Sequence, residues 1–130
     1  MHPPSNLLRG LLLVVSAFFL AMASAHFLGL KYPLLFVYYD VPFYAYQDRI
    51  IAAILLPYAI LFFATSRHKL LLPYTLVALW ITIFGLSYIN QSADLALVLD
   101  GQSPQIYWLQ TAAFAALALV LTILALKEKP

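Results

Sequence analysis

The sequence lacks cysteine entirely and has few charged residues. The absence of cysteine excludes structural disulfides, thiolate metal sites and catalysis by a thiol. Only 9% of the residues are charged and 65% are hydrophobic, whereas a soluble domain carries roughly 25% charged residues. A chain with so little charge cannot cover a water-facing surface, so we expect lipid to be its main solvent.

The marks of several functional classes are also missing. With only four glycines the chain cannot form a glycine-rich pore, and no carboxylate lies at the centre of an apolar segment, which argues against proton-coupled transport. No serine-based catalytic motif, phosphate-binding loop or zinc-binding helix signature occurs. No basic patch with interleaved aromatic residues indicates nucleic-acid binding. The sequence therefore predicts no catalytic residue, metal or cofactor.

What the chain has instead is four long apolar segments. A hydrocarbon core about 30 Å thick requires about 20 apolar residues in a helix. The sequence predicts one all-α domain over residues 1–130, an integral membrane four-helix bundle. Its spans are expected at about residues 7–30, 50–65, 70–89 and 106–126.

The second segment is short, and we expect its first turn to include Tyr46, Gln47 and Asp48. A carboxylate at a helix start meets free backbone amides and the positive end of the helix dipole. Asp48 is therefore predicted to cap this helix.

Small residues predict how the helices pack. Helices in lipid associate through close packing of small side chains. The first segment has Ala17, Ala21 and Ala25 at four-residue spacing, and the fourth has Ala112 and Ala116, with Ala115 and Ala118 nearby. These alanines are predicted to face other helices.

Basic residues predict the orientation of the spans. Five of them fall on one side of the four-span arrangement: Arg9, Arg67, Lys69, Lys127 and Lys129. Cytoplasmic loops carry an excess of lysine and arginine. Both termini are therefore expected in the cytoplasm, and the location most consistent with this pattern is a bacterial inner membrane.

The first apolar segment also has a second interpretation. Arg9, an apolar run and the small residues Ala23–Ala25 resemble a secretory signal peptide with its cleavage site. The apolar run continues to Leu30, which is longer than a usual signal core, so we expect the segment to be retained. Cleavage after Ala25 would leave three spans.

The stretch between the first two segments, residues 31–49, is both aromatic and polar. It holds seven aromatic rings together with Asp40, Asp48 and Arg49. Tyrosine favours the membrane–water boundary, because the ring can be buried while the hydroxyl stays wet. We expect an aromatic-rich interfacial loop, with a ligand-contacting lid and a partner-docking surface as alternatives.

Polar residues concentrate at the outer ends of the predicted spans, where they would either meet headgroups and water or form a shared pocket. The pocket interpretation predicts eight candidate ligand-binding residues: His26, Tyr39, Asp40, Tyr44, Asp48, Arg49, Asn90 and Gln91. A polar group in lipid is costly unless it is paired or hydrated. The sequence therefore indicates a polar cluster at this depth.

Three functions are consistent with these features. The favoured one is a non-enzymatic accessory or scaffold subunit of a membrane complex. The second is a carrier or binding protein for a small hydrophobic or lipid-like molecule, and the third is a membrane enzyme that uses His26, Asp48 and Arg49. Expected partners are the lipid bilayer, another membrane protein or a second copy, and a lipid-like ligand. Convergence of His26 with a carboxylate would favour the enzyme over the carrier.

Overall fold

The computed structural model describes residues 3–30 and 44–128, and in these ranges the chain is helical with no β-strand. The helices are α1 (Asn6–Leu28), α2 (Tyr44–Arg67), a 3₁₀ turn (Lys69–Leu71), α3 (Leu72–Asn90), α4 (Ala93–Leu99) and α5 (Gln105–Leu126). Four of them are long and apolar enough to cross a membrane. The predicted all-α fold with four candidate membrane spans is confirmed.

The chain divides into two compact units. The first contains α1, α2 and the 3₁₀ turn and ends at Leu71, and the second begins at Leu72 and contains α3, α4 and α5. The expected aromatic loop lies mostly outside the described residues.

Helix α1 ends two residues before the predicted limit of the first span. Gly29 adopts a left-handed conformation with φ of 66°, which glycine reaches without a steric penalty. Its N–H donates to the His26 carbonyl oxygen and the Leu30 N–H donates to that of Ala25. This is a Schellman motif, which satisfies carbonyls that the last turn would otherwise leave free.

Helix α2 begins at Tyr44, six residues before the predicted start at Ile50. Asp48 is consequently the fifth residue of the helix. A residue in the second turn cannot serve as the N-cap, so the prediction that Asp48 caps α2 is wrong.

Helices α1 and α2 pack along a seam of large side chains. The ring of Phe19 lies 5.4 Å from that of Phe62 and 5.5 Å from that of Tyr58, measured between centroids. The Ser16 hydroxyl donates to the Ala59 carbonyl oxygen at 2.7 Å. Buried residues of α1 recur every three or four positions, as expected for one helix face: Leu8, Leu12, Val15, Phe19, Met22 and His26.

The predicted packing through small residues is mostly wrong. Ala17, Ala21, Ala112 and Ala116 are exposed and Ala115 is partly exposed, whereas Ala25 and Ala118 are buried. In α1 the large residues Phe19 and Met22 are buried in the seam instead.

In the second unit α3 packs against α5. Leu79 and Ile83 of α3 and Ala118 and Leu121 of α5 are buried. The short helix α4 was not predicted; it starts where the Ser92 hydroxyl accepts a hydrogen bond from the Leu95 N–H. After α4 the backbone turns through two left-handed residues, with φ of 47° and 85°.

Candidate functional site

The first polar cluster is a pair of buried side chains in the first unit. His26 Nδ1 lies 2.9 Å from Asp48 Oδ1. Each residue is only 8% exposed, although both are polar. The pair therefore joins α1 to α2 through a buried hydrogen bond.

The phase of each helix brings these two side chains together. His26 is the last member of the buried seam of α1 and lies four residues after Met22. Asp48 lies four residues before the buried Ala52 of α2, and so on the same face of its helix. The two helices are antiparallel, so the C-terminal end of the buried face of α1 lies beside the N-terminal end of the buried face of α2.

The carboxylate determines the tautomer of the imidazole. An ionised carboxylate can only accept hydrogen bonds, so His26 Nδ1 carries the hydrogen and donates it to Asp48. In the neutral ring Nε2 is then the atom with the lone pair. An imidazole oriented in this way can accept a hydrogen bond or a proton at Nε2, in addition to linking the helices.

The other residues predicted around this pair are placed differently. Arg49 follows Asp48 on α2 but is exposed, because successive residues of a helix do not face the same way. Tyr44 is the first residue of α2. Tyr39 and Asp40 lie outside the described residues. Among the residues that the structure describes, no group of three or more His, Cys, Asp or Glu side chains could hold a metal ion.

The second polar cluster joins α3 to α5 in the second unit. Asn90 is buried and its Nδ2 donates to Thr111 Oγ1 at 2.9 Å. The Thr111 hydroxyl donates to the Tyr107 carbonyl oxygen at 3.0 Å. The predicted residue Gln91 is exposed, and its Nε2 donates to the Ser87 carbonyl oxygen at 2.8 Å.

The sequence places Thr111 among the polar residues at the outer ends of the spans, but Thr111 was not one of the eight candidate ligand-binding residues. Threonine is common in membrane helices, and nothing in its neighbours marks it. The one available signal is its position near the N-terminal end of the fourth apolar segment, which a connection of about 15 residues brings back to the level of Asn90.

We predict that Thr111→Val will lower the free energy of unfolding by about 1 kcal/mol. Valine keeps the shape but removes the acceptor, which leaves the buried Asn90 amide without its partner. Unfolding in detergent measures the change. Thr111→Ser is the matched control because it keeps the hydroxyl, and an equal loss in both variants would contradict the role of this hydrogen bond.

A cavity of about 240 Å³ lies beside Asn90 in the second unit. Polar side chains on its wall come from the end of α3, from the turn into α4 and from the turn after it: Asn90, Gln91, Ser92 and Gln102. Apolar side chains of α4 and Pro104 line the rest. Two of the eight predicted ligand-binding residues, Asn90 and Gln91, thus share one cavity.

Comparison with known proteins identifies no relative of this chain. No family model, no curated protein and no solved structure matches it. The two polar clusters, the cavity and the apolar helix surfaces are therefore the basis for any statement about function.

Proposed function

We propose that this chain is a non-catalytic accessory or scaffold subunit of a membrane complex. The supporting observation is the uneven burial of its four apolar helices. Within the most apolar 18-residue segment of α1, 39% of the residues are buried. The corresponding share is 22% in the span Lys69–Asn90, which contains α3, and 17% in α5. A smaller share of the residues of α3 and of α5 than of α1 is therefore buried by the rest of the chain.

The exposed surface of α3 has the spacing of a helix contact. Large side chains recur at intervals of three and four residues, and each is more than half exposed: Tyr74, Val77, Ile81, Phe84 and Tyr88. This spacing puts them on one face, and helices that associate do so by interdigitating such side chains. We therefore assign this face, and not the seam of the first unit, to the partner.

Photo-crosslinking in native membranes tests the accessory role. A photoreactive amino acid at Ile81 of α3 is expected to give discrete crosslinks to protein. The matched control is Val14 of α1, which is equally exposed, at 66% against 65%, and is expected to crosslink lipid. Crosslinks to lipid alone from both positions would contradict the proposal.

We propose further that both termini lie in the cytoplasm of a bacterial cell, with the chain in the inner membrane. The five basic residues on one side of the four-span arrangement support this orientation. His68, between α2 and the 3₁₀ turn, would then be cytoplasmic, and Ser103, between α4 and α5, would be periplasmic.

Cysteine labelling measures this orientation directly, because the natural chain has no cysteine. His68 and Ser103 are both exposed, so His68→Cys and Ser103→Cys should react without disturbing the fold. In intact spheroplasts an impermeant maleimide is expected to label only Ser103→Cys. Labelling of both variants from outside, or of His68→Cys alone, would show that the orientation is wrong.

A second candidate function, a membrane enzyme, is favoured by the 2.9 Å contact between His26 and Asp48. A carboxylate that fixes the tautomer of an imidazole is also the arrangement by which enzymes orient a general base. This geometry favours an enzyme over a simple carrier at this site, although Arg49 is exposed and shows no ion pair with Asp48.

The enzyme candidate can be tested on the lipids of the native membrane. The purified chain and the variant His26→Gln would be incubated with a total lipid extract, and all species followed by mass spectrometry. Consumption of a lipid by the natural chain alone would support the enzyme. An unchanged lipid profile with both proteins would count against lipid chemistry at His26.

A further inference from the structure

Two side chains that line the cavity in the second unit have amide oxygens that accept no hydrogen bond from the described residues. The Thr111 hydroxyl donates its one hydrogen to the Tyr107 carbonyl oxygen, so in its contact with Asn90 it can only be the acceptor. Asn90 must therefore turn its NH₂ group towards Thr111, which leaves the carbonyl oxygen Oδ1 available. The same reasoning applies to Gln91, whose Nε2 donates to a backbone carbonyl and leaves Oε1 available.

Within the described chain neither of these amide oxygens accepts a hydrogen bond. The Ser92 hydroxyl donates to the Ile89 carbonyl and accepts from the Leu95 N–H, so it has no hydrogen left to donate to a ligand. The wall thus presents two amide oxygens together with amide hydrogens of Asn90, Gln91 and Gln102. A ligand that complements such a wall both donates and accepts hydrogen bonds, as a hydroxyl group does.

The remaining wall restricts the ligand further. None of the described residues that line the cavity carries a formal charge, so nothing there would neutralise an ion. Leu95, Ala96 and Leu99 of α4 form an apolar side. The volume of about 240 Å³ is below the roughly 300–1,000 Å³ typical of pockets for drug-sized molecules. The cavity therefore suits a small uncharged group that is polar on one side and apolar on the other.

We propose that this cavity binds an uncharged, hydroxyl-bearing group of the glycerol class. Its hydroxyls donate to Asn90 Oδ1 and Gln91 Oε1, and its carbon skeleton packs against Leu95 and Ala96. This binding site goes beyond the proposed accessory function and does not depend on it. Two sources supply the same chemistry, a free polyol and the headgroup of a neutral lipid.

Nuclear magnetic resonance titration of the ¹⁵N-labelled full chain tests the site. The protein is kept in dodecyldimethylamine oxide micelles, whose detergent carries no hydroxyl group. Three probes are added separately: glycerol, 1-monododecanoylglycerol and methyl dodecanoate. The two hydroxyl-bearing probes share the proposed chemistry, and the methyl ester has the same acyl chain as the lipid without its hydroxyls.

We expect saturable shifts confined to residues 90–104 with a hydroxyl-bearing probe and none with the methyl ester. Saturation by glycerol itself identifies a free polyol as sufficient, and saturation by monododecanoylglycerol alone identifies a lipid headgroup. Absence of saturation with both, or equal shifts with the methyl ester, would overturn the proposal.

Variants of α4 provide a matched comparison. Ala96 lines the cavity and Leu97 does not, and both are exposed. Ala96→Phe fills the space and is expected to weaken binding at least tenfold, whereas Leu97→Phe should leave it unchanged. Gln91→Leu removes one acceptor from an exposed side chain and is expected to weaken binding about three- to tenfold. Equal affinity in Ala96→Phe and Leu97→Phe, or an undiminished affinity in Gln91→Leu, would place the ligand elsewhere.

Discussion

Replacing His26 by leucine is expected to lower the free energy of unfolding by about 3–5 kcal/mol, because it leaves the Asp48 carboxylate buried without its donor. The opposite variant, Asp48→Leu, leaves the His26 imidazole N–H without its acceptor, and we expect a smaller loss of about 1–3 kcal/mol. Denaturation by sodium dodecyl sulfate, followed by circular dichroism, measures both changes.

The double variant His26→Leu with Asp48→Leu separates the hydrogen bond from packing. Two apolar side chains of similar size leave no polar group unpaired, so most of the lost stability should return. The control is His68→Leu, since His68 is exposed in the turn after α2 and its replacement should have little effect. Losses that simply add in the double variant would show that the two side chains are not coupled.

The second large effect is expected at Phe62, which is fully buried and packs on the ring of Phe19. Phe62→Ala should lower the free energy of unfolding by about 3 kcal/mol, the lower end for a buried phenylalanine. We take the lower end because lipid, and not water, surrounds the separated helices, so the loss is one of close packing. The same denaturation assay gives the value.

The neighbouring Phe63 is an unusually close control. It has the same side chain in the same helix turn but is 51% exposed. Phe63→Ala is therefore expected to change stability by less than about 0.5 kcal/mol, as for surface substitutions in general. A loss at Phe63 as large as that at Phe62 would mean that the seam between α1 and α2 has been assigned to the wrong faces.

The polar residues show where sequence reasoning was sufficient and where it failed. Hydropathy and polarity correctly marked His26, Asp48 and Asn90 as polar residues near the ends of apolar segments. The sequence placed His26, Asp48 and Arg49 in one candidate site and left open whether Asp48 pairs with Arg49 or with His26. It did not predict the partner of Asn90. Asp48 was expected to cap α2, but the helix begins at Tyr44. The residues from Tyr44 to Arg49 mix aromatic and polar side chains, and hydropathy alone does not distinguish such a helix start from a loop.

The alanine stripes failed for a related reason. A repeat of small residues is compatible with a helix contact, but an alanine side chain is equally compatible with a position that faces lipid. Ala17 and Ala21 are exposed, whereas the large residues Phe19 and Met22 beside them are buried. In a segment that is apolar on every side, the pattern of apolar residues no longer indicates which face is inside.

What the sequence determined by itself is the number and approximate position of the membrane helices. Lipid solvation imposes this, because a backbone in hydrocarbon must satisfy its own hydrogen bonds and about 20 apolar residues are needed to cross. The tertiary structure alone decided which side chains meet: His26 with Asp48, Asn90 with Thr111 and Phe19 with Phe62. These pairings depend on the residue at which each helix starts and on the rotation of each helix about its axis. An almost uniformly apolar sequence does not allow either of these to be predicted.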